Sequence, residues 1–137
     1  MAEEEDLENI LIAGDLNITL SLGEKHGGCI VSDPAREWVE DIIREWDLID
    51  LKLSHGKFTW SNKRTSPGHI VARLDRFLIQ SSYLLLGLDA KMSILSSSTS
   101  DHKLIMLSLS SQSNLGPIPF RFCSLWIKQK DFMERVL

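Results

Sequence analysis

An α/β fold is predicted for this chain of 137 residues, on three observations. The apolar run Ile10-Leu11-Ile12-Ala13 stops at Gly14-Asp15, as a buried strand does when it delivers a polar residue to a loop. A strongly amphipathic segment of helical period comes next. Short apolar runs separated by polar loops follow it, so the order is strand, helix, strands. The length suits one domain with a core of ordinary size.

Each element has its own signal. Ser21 to Ser32, with Gly23, Gly27 and Gly28, reads as loop. A helix is predicted from Asp33, a capping residue, with Pro34 at the first helical position, where its missing N–H is harmless. Trp38, Val39, Ile42, Ile43 and Trp46 recur on one face of it, read as a core-facing stripe, and it ends at Trp46. Arg36, Glu37, Glu40, Asp41, Arg44 and Glu45 fill the other face, with Glu40 and Arg44 four apart. Leu48 to Leu53 reads as a strand closed by the turn Ser54-His55-Gly56. Phe58-Thr59-Trp60 is a short strand, and Ser61 to Gly68 a polar loop. Ile70 to Ile79 reads as one strand in which Arg73, Asp75 and Arg76 interrupt the apolar pattern. Ser81 to Leu88 suits one or two helical turns. Lys91 to Leu95 and Lys103 to Leu109 are strands around the serine-rich loop Ser96 to Ser100, with Asp101-His102 entering the last one.

Composition narrows the class without choosing a function. Hydrophobic residues make up 43%, charged residues 25%, and the net charge is −4, values of a globular protein without the basic surplus of most nucleic-acid binders. An acidic chain still suits a nuclease whose metal supplies the local positive charge. Cys29 and Cys123 have no metal-ligand spacing and are expected as buried free thiols in a reducing compartment. No apolar run approaches the roughly 20 residues that span a bilayer. The acidic start, MAEEEDLEN, is unlike a signal or transit peptide. A nuclear or cytoplasmic location, without secretion or membrane, is the expectation.

Four short motifs carry residues fit for chemistry: Gly14-Asp15-Leu16-Asn17, Phe58-Thr59-Trp60-Ser61-Asn62, Arg73-Leu74-Asp75-Arg76 and Ser100-Asp101-His102. Phosphodiester hydrolysis needs a group to orient water, a donor to the phosphate, a metal to hold charge and a stabiliser of the oxyanion. Asp15, Asn17, Asp101 and His102 are residue types for those tasks, and all are predicted at strand ends, where an α/β scaffold can converge them.

The ordered set GDLN, DLIDL with FTWSN, RLDR and SDH resembles the second half of the endonuclease/exonuclease/phosphatase domain. The wording is most similar to plant LINE-type (non-LTR) retrotransposon endonucleases, over residues 8 to 110. The resemblance implies half of a four-layer α/β sandwich like that of DNase I, a mixed sheet with helices on its outer face. It implies a partial domain at residues 1–112 and a tail at 113–137 leading toward a reverse transcriptase. Asp15 would orient the attacking water, Asn17 would bond the scissile phosphate, and His102 would contact a phosphate oxygen with Asp75 holding its imidazole. Asp101 would join the metal site, for magnesium or manganese. Trp60, Asn62 and Arg73 would border the DNA. Arg76 stands where many relatives outside the retrotransposons carry an aromatic residue. The family's principal magnesium-binding Glu comes from its first half, and Glu3, Glu4, Glu5 and Glu8 lie in a polar run that offers no substitute. The resemblance therefore implies a truncated magnesium-dependent DNA endonuclease, weak or inactive alone. It also implies a sheet face left uncovered, open to self-association or to a tail carrying Phe120, Phe122 and Trp126. The alternative is a non-catalytic retrotransposon remnant or a protein-interaction fragment.

Overall fold

The computed structural model describes residues 9–96 and 99–111. Within them the order is β1 (Leu11–Asp15), a 3₁₀ turn (Leu22–Glu24), β2 (Lys25–His26), α1 (Arg36–Glu45), β3 (Leu48–Asp50) and β4 (Trp60–Ser61). Then come β5 (Val71–Ala72), β6 (Asp75–Gln80), α2 (Ser82–Leu85), β7 (Leu88–Leu95) and β8 (Leu104–Ser111). The architecture is mixed α/β with several antiparallel sheets and few helices. One sheet has the order β1-β6-β3, a second the order β2-β5-β4, and β7 and β8 form a hairpin. All these pairings are antiparallel. Among the described residues the parallel component expected of a mixed sheet is reduced to the bridge of Leu53 with Met92.

Strand β6 sits at the centre because both its faces are used. Ile79 has no exposed surface and Leu78 almost none, and successive side chains of a strand point to opposite faces. Ile79 packs with Leu51 and Met92, and Ile49, Phe77, Tyr83, Ile105 and Leu107 close around them. Each such side chain contributes about 1.5–3 kcal/mol when fully buried. On the opposite face the strand turns Arg76, also without exposed surface, into the interior.

The segment read as one strand from Ile70 to Ile79 is two strands in two sheets. It breaks at Arg73-Leu74, where the ladder is replaced by other partners. The Arg73 N–H donates to the Glu24 carbonyl at 2.8 Å. The N–H groups of Leu74 and Asp75 both donate to Thr59 Oγ1, each at 3.0 Å. The chain thus turns a corner from β5 into β6. The stretch Ser21 to Ser32, expected as plain loop, contains the 3₁₀ turn and β2.

Helix α1 starts later than Asp33. Asp33 instead closes a turn ahead of it, accepting the Ala35 N–H on Oδ1 at 3.0 Å and the Arg36 N–H on its carbonyl at 3.1 Å. Trp38 is 68% exposed, which corrects the reading of a fully core-facing stripe. At 3.6 residues per turn it lies about 90° from the centre of the stripe formed by Val39, Ile42 and Ile43. The helix packs on β3, a strand of three residues, which is too short to cover the stripe's edge as well. Trp46 lies just past the helix end and stays partly exposed. Cys29 is free but exposed rather than buried, carried outward after Gly27 and Gly28 at positive φ. Cys123 and the proposed tail residues Phe120, Phe122 and Trp126 lie outside the described residues.

Leu95, Leu104 and Met106 remain 45%, 62% and 42% exposed. Leu95 faces Leu104 across the hairpin, and Met106 is two residues on, so the three share one side of it. Among the described residues no helix is long and apolar enough to cross a membrane.

Candidate active site

Register places the first two acids. Asp15, the last residue of β1, lies directly opposite Asp75, the first of β6, and residues opposite one another in an antiparallel pair share a face. Beyond Asp15 the chain turns sharply. Asn17 adopts a left-handed φ of 50°, which asparagine tolerates better than most residues. Its N–H donates to Asp15 Oδ1 at 2.8 Å, an Asx turn that fixes the carboxylate from its own loop.

His102 arrives from the other side, just ahead of β8, and is held along its backbone. It forms a bridge with Trp60. Ser61 N–H donates to the Asp101 carbonyl at 3.0 Å, and Lys103 N–H donates to the Thr59 carbonyl at 2.7 Å. The ring then meets both acids. Nδ1 lies 3.0 Å from Asp75 Oδ2, the separation expected of a dyad, and Nε2 lies 3.7 Å from Asp15 Oδ2. A carboxylate oxygen accepts, so Nδ1 carries the proton and Nε2 is the atom turned toward Asp15. Asp75 is buried, His102 is one-third exposed and Asp15 more so. The three lead from the interior to solvent.

Electrostatics follow that geometry. The hydrogen bond that Asp75 accepts holds the His102 imidazole above its usual range, against a smaller opposing effect of burial, with the charges of Asp75, Asp15 and Asp101 adding to it. The Trp60 indole donates to Asp101 Oδ2 at 3.1 Å, and this bond keeps the Asp101 carboxyl below its ordinary value. A cleft of about 550 Å³ opens beside the ring, with Asn17, Lys25, Trp60, Leu74 and His102 in its walls.

Of the residues selected from sequence, Asp15, Asp75 and His102 form one cluster, their ligand atoms within 4.8 Å of one another. Asn17 and Trp60 line the adjoining cleft. Asp101, expected at the metal, is next to His102, engaged by the Trp60 indole, and it is not a member of that cluster. Asn62 spends its polar atoms inside the loop that follows it. Its Oδ1 accepts from the Arg64 and Ile70 N–H groups, and its Nδ2 donates to the Gly68 carbonyl. It organises the loop bearing the exposed Lys63 and Arg64.

Arg73, expected at the DNA border, is placed away from this cluster. It is buried with Arg76 against Glu24 and Asp50. Arg73 bonds Asp50 through two nitrogens at 2.6 and 3.0 Å and Glu24 at 3.0 Å. Arg76 bonds Asp50 at 2.8 Å and both Glu24 oxygens. Two guanidinium groups and two carboxylates thus form a neutral set, edged by the exposed Lys52 at 3.2 Å from Asp50. Burial would raise the Glu24 carboxyl, but the hydrogen bonds from Arg76 and the Leu20 N–H, with both arginine charges, bring it down to about 2. Sequence reading missed Glu24, Asp50 and Thr59. Glu24 is one polar residue in a glycine-rich stretch, with no local signal. Asp50 lay within a segment read as strand, and Thr59 lay inside a noted motif but was read only as strand.

A scan against protein-family models gave no match, and a search among curated proteins found no significant similarity. Site geometry therefore carries the functional argument.

Proposed function

We propose that this chain carries a phosphodiesterase site of the endonuclease/exonuclease/phosphatase type, acting on DNA with a divalent cation. The observation that supports it best is the run Asp75–His102–Asp15, buried at one end and exposed at the other, with His102 in the wall of a cleft that Asn17 and Trp60 also line. Asp75 fixes the imidazole tautomer. The outward Nε2 is free to meet a phosphate oxygen, donating to it when the ring is protonated. Asp15, pinned on one oxygen by Asn17 N–H, keeps the other to orient a water for attack. The Asn17 side chain donates to the phosphate, and the exposed Lys63 and Arg64 supply backbone contacts that the net charge does not.

The donor set fits magnesium or manganese shared with substrate. Such ions take one or two carboxylates, waters and phosphate oxygens rather than a closed protein cage. Asp15, the exposed carboxylate of the cluster, would hold the ion, and the ion would neutralise charge developing on the phosphate. Among the described residues no further carboxylate joins Asp15, Asp75 and His102 in one cluster, so binding and turnover by the isolated chain are weak.

The test is nicking of supercoiled plasmid with magnesium or manganese, alongside paramagnetic broadening of the Asp15 and His102 NMR signals by manganese. Weak nicking is expected, abolished by chelator and by Asp15→Ala or His102→Ala, with broadening at those signals. Absence of both effects, or nicking that survives His102→Ala, would refute the reading. A second reading, a non-catalytic fragment that binds protein or a second copy of itself, is favoured by one observation: the exposed Leu95, Leu104 and Met106 on one side of the hairpin. Sedimentation that depends on concentration, and is lost in Met106→Lys, is its expected mark.

A further inference from the structure

Thr59 has no exposed surface, yet it bonds both chain segments that carry the dyad. Its N–H donates to the Ala72 carbonyl at 3.0 Å, and its own carbonyl accepts the Lys103 N–H at 2.7 Å, one residue past His102. Its hydroxyl oxygen accepts from Leu74 N–H and from Asp75 N–H, each at 3.0 Å. Those two N–H groups belong to the corner where the chain leaves β5 for β6. A hydroxyl oxygen has two lone pairs and can take both.

We infer that Thr59 is the positioning residue of the dyad: its hydroxyl sets the backbone of Asp75 and its carbonyl sets that of His102. The neighbouring residues complete the clamp. Ser61 N–H holds the Asp101 carbonyl, so His102 is gripped on both sides by the segment that grips Asp75 on one. The hydrogen bond between Asp75 Oδ2 and His102 Nδ1 then depends on a side chain whose hydroxyl oxygen accepts from backbone N–H groups. Thr59→Val has nearly the same shape and no acceptor, and it leaves two N–H groups at the corner to find other partners, shifting Asp75 as they do. Thr59→Ser keeps the acceptor. The functional importance of this device rests on the phosphodiesterase reading; the device itself does not.

The experiment uses the full chain labelled with nitrogen-15. At a pH where the ring is neutral, imidazole nitrogen shifts report which nitrogen carries the proton, and nicking is measured in parallel. Wild type and Thr59→Ser are expected to hold the proton on Nδ1 of His102. Thr59→Val is expected to show exchange between the two tautomers and to nick at least about tenfold more slowly, the scale at which misplaced groups lose rate. A Thr59→Val chain with an unchanged His102 signature overturns the inference. So does a Thr59→Ser chain that loses the signature. Should Thr59→Val not fold, Thr59→Ser decides alone: retention supports the hydroxyl's role and loss overturns it. Wild type that shows neither nicking nor manganese broadening sinks the nuclease reading, while the imidazole signature still decides the role of Thr59.

Discussion

Replacing Arg76 with methionine should destabilise the chain severely, and a second substitution should restore most of the loss. Arg76 is fully buried and bonds both Glu24 and Asp50. Without it, buried Glu24 and half-buried Asp50 face one guanidinium. Removing one partner of a buried ionic set costs about 3–5 kcal/mol, because the other charge stays behind. Lys52 approaches Asp50 and Glu24 at 3.2 and 4.0 Å but is largely exposed, which moves the expectation toward the lower end. Even about 3 kcal/mol is a large part of the 5–15 kcal/mol that stabilises an ordinary domain. Adding Glu24→Gln removes the stranded charge and keeps an acceptor for the Leu20 N–H. Arg73 is then left with Asp50 in a two-point pair of neutral sum. The double variant should come within about 1–2 kcal/mol of wild type, a coupling readable in a double-mutant cycle. Urea unfolding followed by tryptophan fluorescence measures all four corners. A single variant costing under about 1 kcal/mol, or a double variant no better than the single, would show that these four groups do not act as a closed neutral set.

Glu24 also predicts an acid limb: its folded value of about 2 lies below the ordinary 4.5. It therefore adds about 3 kcal/mol above pH 4.5 that is lost between there and pH 2; urea midpoints should fall across that window in wild type and much less in Glu24→Gln, and equal falls would refute the assignment. For His102 the sign is opposite. Its raised folded value stabilises fully below its ordinary 6.5, and the gain is lost as pH climbs through the folded value, so the stability gap between wild type and Asp75→Asn should narrow as pH rises above 6.5; a gap that widens would contradict it. Gly27→Ala should be strongly destabilising, since φ is +85° and the new Cβ would fall 2.1 Å from the His69 carbonyl oxygen. Gly87→Ala, at φ +78° with nothing within 4 Å, should cost only the conformational penalty, about 1 kcal/mol. Thermal melts compare the two, and equal losses would refute the clash argument.

Much of the site was legible because its carriers are local signals. An apolar run ending in Gly14-Asp15 announces its own C-terminal end, and Asp101-His102 marks the entry to the last strand. The pairing of Asp75 with His102 came through a family resemblance rather than from spacing. What could not be read locally lies in long-range partners. On the single strand read from Ile70 to Ile79, Arg73 and Asp75, two apart, would share a face. The corner at Leu74, held by the Thr59 hydroxyl, reverses that parity and puts Arg73 with Arg76 instead. No pattern near residue 24 or residue 50 reveals that their acids await two arginines dozens of positions away. Trp38 misled for a related reason: helical period locates a stripe, but the width that is covered depends on the strand beneath.

The alternation of charge along β6 has a consequence for how the chain finds its pairing. Asp75 faces His102, and its neighbour Arg76 faces Glu24 and Asp50. A slip of one residue in β6 would exchange them, turning the guanidinium toward the imidazole and pressing a third carboxylate against the buried two. Purely apolar strands can misalign by one residue at modest cost, since one hydrophobic side chain substitutes for another. Here the same error strands several buried charges at once, each costing several kcal/mol. The dyad and the neutral set behind it therefore act together as a proofreading mark: the register that brings Asp75 to His102 is also the one that sets Arg76 against Glu24 and Asp50.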